Sequence, residues 1–138
     1  MIRFSLALLL GLAVTVAACA SAAENIPADV DVAVHMQDYK VILSVATVKA
    51  GTVRFGIKNE GSMEHSFELI KTDLPFDKLP VDSGAAKAKE DGLIKQVKSL
   101  GVGKVSVLTA DLAAGNYVII CNVAGHYQLG MRAAFTVN

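Results

Sequence analysis

The alternation of apolar and polar residues with a period of two constrains the fold of this chain more than any other sequence feature. It is clearest at residues 30–36, "VDVAVHM", where every second residue from Val30 to Met36 is apolar. Successive side chains of a β-strand point to opposite faces, so this pattern predicts a half-buried strand. Further short segments rich in β-branched residues are "YKVILSVATVKAG", "TVRFGIKNEG", "HSFELIKT", "LIKQVKSL", "KVSVLTA", "NYVIICNV" and "MRAAFTVN". About eight such strands, with no long helix between them, predict an all-β sandwich or barrel.

One segment, residues 72–92, departs from the strand pattern. It contains two prolines, followed by a run of alanine, lysine and glutamate residues. Asp82 or Ser83 is placed to cap a short helix over residues 84–91, which Gly92 would end. We therefore expect a short helical insertion at the surface, between two strands. Its charges are typical of a solvated face, and a docking surface for a partner is the alternative interpretation.

The N-terminal segment has the layout of a secretory signal peptide. A positive charge at Arg3 precedes an apolar stretch and then the small residues of "AACASAAE". The apolar stretch is too short for a stable membrane-spanning helix, so a permanent anchor is the weaker interpretation. We assign residues 1–23 to the signal and residues 24–138 to a single exported, periplasmic domain. "VAAC" also resembles a lipoprotein box, in which Cys19 would carry a lipid anchor, and both processing routes stay open.

The charge distribution bears on the class of partner. The chain has 13 Lys and Arg residues against 13 Asp and Glu residues, and it has no basic block. Surfaces that bind nucleic acid are strongly basic, so we do not expect a nucleic-acid partner. No segment after the signal contains the roughly eighteen unbroken apolar residues of a membrane span, so we expect the mature domain to be soluble.

Cys121 is the only cysteine that follows the predicted signal. Exported compartments are oxidising and favour disulfides, yet the mature chain offers Cys121 no second cysteine with which to pair. A lone thiol of this kind is buried and inert, linked to another molecule, a nucleophile or a metal ligand. The neighbours of Cys121 in the sequence therefore decide how it is interpreted.

Further sulfur and nitrogen ligands lie close to Cys121 in the segment "CNVAGHYQLGM", where His126 and Met131 follow at equal intervals. Cys121 ends an apolar strand, a glycine-containing loop follows, and Met131 begins the last strand. One strand–loop–strand unit can therefore direct a thiolate, an imidazole and a thioether at one point. A second imidazole, that of His65, follows a turn much earlier in the chain. Two imidazoles, a thiolate and a weak axial thioether form the ligand set of a blue-copper electron-transfer site.

These segments resemble those of the cupredoxins, the small blue-copper proteins. "NEGSMEHSFEL" is similar to the upstream ligand segment of the family, and "AGNYVIICNVAGHYQLGM" is similar to the segment near its C-terminus. The Cys-x4-His-x4-Met spacing resembles that of rusticyanin-type and plantacyanin-type members. By this resemblance, one type 1 copper ion has four ligands, namely His65, Cys121, His126 and Met131.

The resemblance also implies a fold and a role. The fold would be a Greek-key β-sandwich of about eight strands. The protein would be a monomer that carries electrons between redox partner proteins and is not an enzyme. A backbone N–H near His65, such as that of Ser66, would donate a hydrogen bond to the Cys121 sulfur. Partners would dock on a surface patch around His126, formed by Ala124, Gly125, Leu129 and Gly130.

Other interpretations of the same residues are weaker. The main alternative is a copper-handling chaperone or scavenger on this fold, although such proteins need labile, exposed, methionine-rich sites. A thiol enzyme that used Cys121 and His126 would leave His65 and Met131 without a role. A zinc site is disfavoured because zinc is bound by cysteine, histidine and carboxylate ligands rather than by methionine. Three other residues with ligand-type side chains are expected to be structural, namely His35, Met36 and Met63.

Overall fold

The computed structural model of the protein describes residues 24–138, so the predicted signal and Cys19 lie outside the described residues. In chain order the elements are β1 (Val32–Gln37), β2 (Lys40–Leu43), β3 (Thr47–Val48), β4 (Gly51–Asn59), β5 (His65–Lys71), β6 (Val81–Asp82), β7 (Lys87–Ala88), β8 (Leu93–Leu100), β9 (Val105–Leu112), β10 (Gly115–Ile120), α1 (His126–Leu129) and β11 (Arg132–Val137). Within residues 24–138, no helix is long and apolar enough to cross a membrane.

Two sheets form the body of the domain. The first has the strand order β2-β1-β4-β9, and the second has the order β3-β11-β10-β5-β8. Strands β1 and β4 pair in parallel, as do β11 and β3, and the other neighbours in both sheets pair antiparallel. Strands distant in the sequence are therefore neighbours in both sheets, as in Greek-key sandwiches. This arrangement confirms the predicted all-β class.

The core lies between the two sheets. The ring of Phe55 on β4 packs against Phe67 on β5, with ring centroids 5.8 Å apart, and against Phe135 on β11, at 5.6 Å. These three rings are almost inaccessible to solvent, as is Met36. Complete burial of such a side chain contributes roughly 1.5–3 kcal/mol to folding. The alternating pattern predicted for residues 30–36 is observed from Val32 onward, where β1 buries every second residue, whereas Val30 precedes the strand and is only partly buried.

The outer face of the second sheet is also covered. Strand β5 is buried along nearly its whole length, on both faces. A second apolar cluster lies on this outer side, and it consists of Ile70, Leu79, Ala88, Val118, Ile120 and Tyr127. Since Leu79 and Ala88 belong to residues 72–92, this segment packs against the sheet and does not merely decorate the surface.

The helix predicted over residues 84–91 is wrong. Strands β6 and β7 instead pair as a short antiparallel hairpin. Asp82 does act as a cap, because its Oδ1 accepts hydrogen bonds from the N–H groups of Gly84 at 2.9 Å and Ala85 at 3.2 Å. However, Ala86 adopts a left-handed backbone conformation with φ 53°. A non-glycine residue in that region ends a right-handed turn, so the capped turn closes a hairpin and does not extend into a helix.

Candidate metal centre

Three buried side chains bring their ligand atoms together at one end of the sandwich. His65 Nδ1 lies 3.3 Å from His126 Nδ1, and the Cys121 Sγ lies 3.8 Å and 3.5 Å from these two nitrogens, respectively. The point equidistant from the three atoms is about 2 Å from each of them, close to the length of a metal–imidazole bond. The cluster therefore has the dimensions of a trigonal metal site, as the sequence predicted for these three residues.

The pairing of β5 with β10 places His65 and Cys121 side by side. His65 is the first residue of β5, and Cys121 directly follows the last residue of β10. The register aligns Ile120 with Glu68, so the chain reaches Cys121 next to the start of β5. There the backbone N–H of Ser66 donates a hydrogen bond to the Cys121 Sγ at 3.3 Å, which was the hydrogen bond expected from the sequence.

A single helical turn brings His126 back to the cluster. Gly125 precedes this turn with φ 83°, a left-handed conformation that glycine adopts without steric cost. The N–H of His126 then donates to the carbonyl of Val123 at 2.9 Å. The sequence indicated a loop here, and the structure shows that the loop contains α1, which fixes the direction of the imidazole.

We call residues 122–130, between Cys121 and Met131, the site loop. Met131 follows this loop directly and precedes β11. Its N–H donates to the carbonyl of His126 at 3.0 Å, and its carbonyl accepts from the N–H of Cys121 at 3.0 Å. The side chain is fully buried and belongs to the same apolar cluster as Cys121. Backbone hydrogen bonds therefore join Met131 to two of the three clustered residues, Cys121 and His126.

The second ring nitrogen of His65 has a partner that the sequence did not reveal. His65 Nε2 lies 3.3 Å from Asp38 Oδ1. Hydrogen bonds from the hydroxyl and N–H of Ser62 lower the pKa of Asp38, which stays ionised. Burial, together with the nearby His126, lowers the pKa of His65. A neutral His65 that donates from Nε2 to Asp38 leaves the lone pair of Nδ1 directed at the cluster.

Gly61 permits this contact between His65 and Asp38. A Cβ atom at position 61 would lie 2.5 Å from His65 Nε2 and would also collide with the carboxylate of Asp38. The turn that holds Gly61 is fixed by Asn59, whose Oδ1 accepts from the N–H of Gly61 at 2.9 Å. Sequence reasoning identified a turn before His65, but not that Gly61 makes room for a hydrogen bond to this imidazole.

The environment of Cys121 suits a thiolate bound to a cation. Its side chain is inaccessible to solvent, and burial raises the pKa of the thiol, although the hydrogen bond from Ser66 opposes this effect. A buried thiolate without a positive neighbour is costly, whereas a bound metal ion deprotonates a thiol that coordinates it. Together with two imidazole nitrogens, this donor set fits a type 1 copper site.

The hairpin segment is bonded to the site loop. The Tyr127 hydroxyl accepts from the N–H of Leu79 at 2.8 Å and donates to the carbonyl of Phe76 at 3.0 Å. The Asn122 side chain exchanges two hydrogen bonds with the backbone of Ala88, at 2.8 Å and 2.9 Å. Residues 72–92 therefore contact the outer side of the site loop, which contains His126, and stabilise its position. The sequence did not indicate this role.

Two exposed apolar side chains, those of Tyr39 and Leu129, lie close to His126. The His126 side chain is 7% exposed, and the ring of Tyr39 meets it edge-on, with centroids 5.9 Å apart. Leu129 is 60% exposed at the end of α1. Of the other residues predicted for this patch, Ala124 is exposed, while Gly125 and Gly130 are partly buried.

Other residues with ligand-type side chains lie outside the cluster. His35 Nδ1 contacts the Glu60 carboxylate at 2.8 Å, near the surface. Met63 is half-buried in the turn before β5, and Gln128 is exposed on α1. Among residues 24–138, His65, Cys121 and His126 form the one group of three histidine, cysteine or carboxylate ligands that lie close enough together to share an ion.

Comparison with known proteins agrees with this geometry. The cupredoxin-like domain family matches residues 6–137, which is nearly the whole chain, so the protein belongs to this family. No curated protein matches the sequence closely enough to be counted as a relative.

Several solved structures share the fold. Dithionite-reduced auracyanin from the photosynthetic bacterium Roseiflexus castenholzii is 24% identical, with a TM-score of 0.57 over 77% of this chain and 94% of auracyanin. Auracyanin B is 19% identical, with a TM-score of 0.56 over 77% of this chain and 86% of that protein. Rusticyanin from Thiobacillus ferrooxidans is 20% identical, with a TM-score of 0.59 over 78% of this chain and 75% of rusticyanin.

Proposed function

We propose that this protein is an electron carrier that binds one copper ion through His65, Cys121, His126 and Met131. The observation that carries the proposal is the convergence of three buried donor atoms, His65 Nδ1, Cys121 Sγ and His126 Nδ1, around a point about 2 Å from each. The buried thioether residue Met131 is hydrogen-bonded through its backbone to two of these residues. Type 1 copper sites combine this trigonal set with a weak axial ligand.

The donor atoms match the needs of a one-electron carrier. Copper supplies a Cu(I)/Cu(II) couple, for which soft sulfur ligands favour the reduced ion and imidazoles accept the oxidised one. The protein holds the ligands in place beforehand: His65 and Cys121 lie at the ends of paired strands, and Asp38 orients the His65 ring. Because little rearrangement is needed between the two oxidation states, electron transfer is fast.

The apolar surface above His126 supports a role in partner binding. We propose that redox proteins dock on the patch formed by Leu129, Ala124 and the edge of Tyr39, and that the electron passes through the His126 ring. Exposed apolar residues grouped around a site are typical of transient interaction surfaces. The carrier acts as a monomer and catalyses no reaction of its own.

We place this function outside the cytoplasm. The N-terminal segment "LALLLGLAVTVAACASAAE" has the pattern of an export signal. Cleavage after residue 23 would release a periplasmic protein, whereas processing before Cys19 would leave a lipid-anchored one. Mass spectrometry of the mature N-terminus distinguishes these two products.

A visible absorption spectrum of the protein titrated with Cu(II) tests the proposal. We expect a strong thiolate-to-copper band that bleaches on reduction and returns on oxidation. Cys121→Ser should remove the band, whereas His35→Gln, which changes a histidine outside the cluster, should retain it. If the wild-type protein binds copper without this band, the electron-carrier assignment is wrong. Rapid loss of copper to a chelator would instead favour the copper-handling alternative.

A further inference from the structure

The buried carboxylate of Glu68 is hydrogen-bonded to Ser66, and Ser66 also contacts Cys121. Glu68 is only 3% exposed, and its Oε2 accepts from the N–H of Asn122 at 3.0 Å and lies 3.2 Å from Ser66 Oγ. Ser66 Oγ in turn lies 3.6 Å from Cys121 Sγ. Carboxylates are seldom buried in this way without a partner of opposite charge, so Glu68 needs an explanation beyond packing.

The hydroxyl of Ser66 can serve only one of its two acceptors at a time. A serine hydroxyl carries one proton, and here it faces both Glu68 Oε2 and Cys121 Sγ. When Glu68 is ionised, its carboxylate is the stronger acceptor and takes this hydrogen bond. When Glu68 is protonated, its own O–H can donate to Ser66 Oγ, which frees the serine proton for Cys121 Sγ.

We infer that Glu68 is a positioning residue that, acting through Ser66, couples reduction of the metal centre to the uptake of one proton. This inference rests on the proposed electron-carrier function. Near the pH at which Glu68 titrates, a protein donor supplies one electron to the centre, and a solvent hydronium ion gives one proton to a Glu68 carboxylate oxygen and becomes water. Oxidation returns the electron to a protein acceptor and the proton to solvent, and the only covalent bonds that change are the O–H bonds to this proton.

Two effects of Glu68 act in the same direction. The negative charge of the ionised carboxylate favours the more positive, oxidised centre, because opposite charges attract across a poorly screened interior. Protonation removes that charge and also releases the Ser66 proton to Cys121 Sγ, where a hydrogen bond weakens electron donation by the thiolate and favours the reduced centre. The reduction potential should therefore fall as the pH rises.

The charge of Glu68 also acts on Cys121. Burial is the main cause of the raised pKa of Cys121, and the negative charge of Glu68 raises it further. The two side chains are therefore electrostatically coupled in the fold.

A solvent cleft gives Glu68 access to protons. The cleft has a volume of about 540 Å³. The charged and polar side chains that line it together with Glu68 come from β5, β7, β8, the site loop and the connections that precede β5 and β8, and they are Glu64, Ser66, Lys87, Glu90, Gln96, Lys98 and Asn122. The pKa of Glu68 is raised from 4.5 to about 7, mainly by burial and also by the charge of Glu90, whereas the hydrogen bonds from Ser66 and Asn122 and the charge of Lys87 oppose the shift. Titration therefore falls near neutral pH.

Measurement of the reduction potential against pH tests this inference. From about pH 5 to about pH 9, which brackets the pKa of about 7 for Glu68, the wild-type potential should fall with rising pH. We expect proton affinities in the two redox states to differ about tenfold, which corresponds to about 59 mV for one electron. The reduction potential of Glu68→Gln should not change with pH. It should stay close to the potential that the wild type has at low pH, where Glu68 is neutral.

A control variant separates the effect of Glu68 from that of the other carboxylates in the cleft. Glu64→Gln removes another carboxylate from the same cleft, one that is exposed and accepts a hydrogen bond from Ser99 Oγ. It should retain the pH dependence of the wild type. A Glu68→Gln profile that parallels the wild-type profile would overturn the inference, and so would an equal loss of slope in Glu64→Gln.

A second measurement does not depend on the redox couple. Carbon-13 NMR can follow the Glu68 carboxyl group in the metal-free protein and in the diamagnetic Cu(I) protein. We expect titration near neutral pH in both, and titration at the ordinary value for a glutamate would overturn the inference. If the blue band and reversible reduction are present but the potential does not change with pH, only this inference fails. Absence of the band overturns the electron-carrier proposal as well.

Discussion

His65 Nε2 lies 3.3 Å from Asp38 Oδ1, although the two residues are far apart in the sequence and belong to different halves of the sandwich. Asp38 lies in the turn between β1 and β2, and His65 begins β5. The contact links the first sheet to the candidate metal centre in the second sheet. It also fixes which nitrogen of the imidazole faces Cys121 and His126, so the first sheet contributes to the geometry of the centre.

Gly61→Ala should disturb the centre without removing a ligand. The added Cβ would lie 2.5 Å from His65 Nε2, too close for either group to stay in place. We expect copper affinity to fall about 10–100-fold, as when a hydrogen-bond partner of a metal-binding histidine is removed. Competition with a chelator of known affinity measures this change.

Gly101→Ala provides the matched control for Gly61→Ala. Its added Cβ would meet only the Lys104 side chain, at an ordinary contact distance of 3.6 Å. This variant should bind copper with wild-type affinity. Equal affinities in both alanine variants would show that Gly61 is not needed for the position of His65.

His126→Gly should create a copper site that accepts an external ligand. His126 lies under the surface beside the exposed Leu129, so its removal opens a path from solvent to the cluster. We expect the blue band to be lost or shifted and to be restored by added imidazole. The matched variant His65→Gly removes the other proposed imidazole ligand, which is fully buried, so imidazole should restore its band far less well. Spectra of His126→Gly that do not respond to imidazole would argue against His126 as a ligand.

The alternation of side chains accounts for what the sequence could predict about the fold. In β1 the register of buried residues follows directly from the period-two pattern. The candidate site was equally accessible, because Cys121, His126 and Met131 lie in one short segment whose spacing is a chemical signal in itself. Local information was sufficient for these residues, whereas His65 was identified from a separate, distant segment.

Long-range contacts decided the features that the sequence did not reveal. Asp82 can cap either a helix or a turn. The structure has a turn because Ala86 adopts a left-handed conformation. The carbonyl of Ala86 accepts a hydrogen bond from the N–H of Gly125 at 2.7 Å, a long-range contact. The pairing of Asp38 with His65 depends on how two sheets pack. Neither relationship leaves a periodic or compositional trace in a single sequence.

Tyr127→Phe should destabilise the protein through the hairpin segment. The substitution removes two hydrogen bonds and leaves the N–H of Leu79 without its partner in a buried position. An unsatisfied buried donor costs about 1–3 kcal/mol. Urea unfolding of the metal-free variant should show a free energy of unfolding lower by this amount, whereas Tyr39→Phe, at a ring that is 41% exposed, should change it little. If both variants unfold alike, the hydrogen bonds from Tyr127 do not stabilise the loop.

The stability of the metal-free protein should depend on pH through Glu68. Burial raises the pKa of this carboxyl group from 4.5 to about 7 in the folded protein. The folded state therefore binds this proton more tightly than the unfolded chain does, and the resulting stabilisation is complete below about pH 4.5 and is lost as the pH rises through about 7. A shift of this size corresponds to roughly 3 kcal/mol at most.

Comparison of wild-type and Glu68→Gln unfolding isolates this contribution, because all other titrating groups are common to both proteins. The neutral glutamine keeps the shape of the side chain but cannot ionise. As the pH rises, the free energy of unfolding of the wild type should therefore fall relative to that of Glu68→Gln. Glu64→Gln should instead follow the wild type at every pH, because its carboxylate is exposed. Parallel wild-type and Glu68→Gln curves would mean that Glu68 titrates alike in the folded and unfolded states.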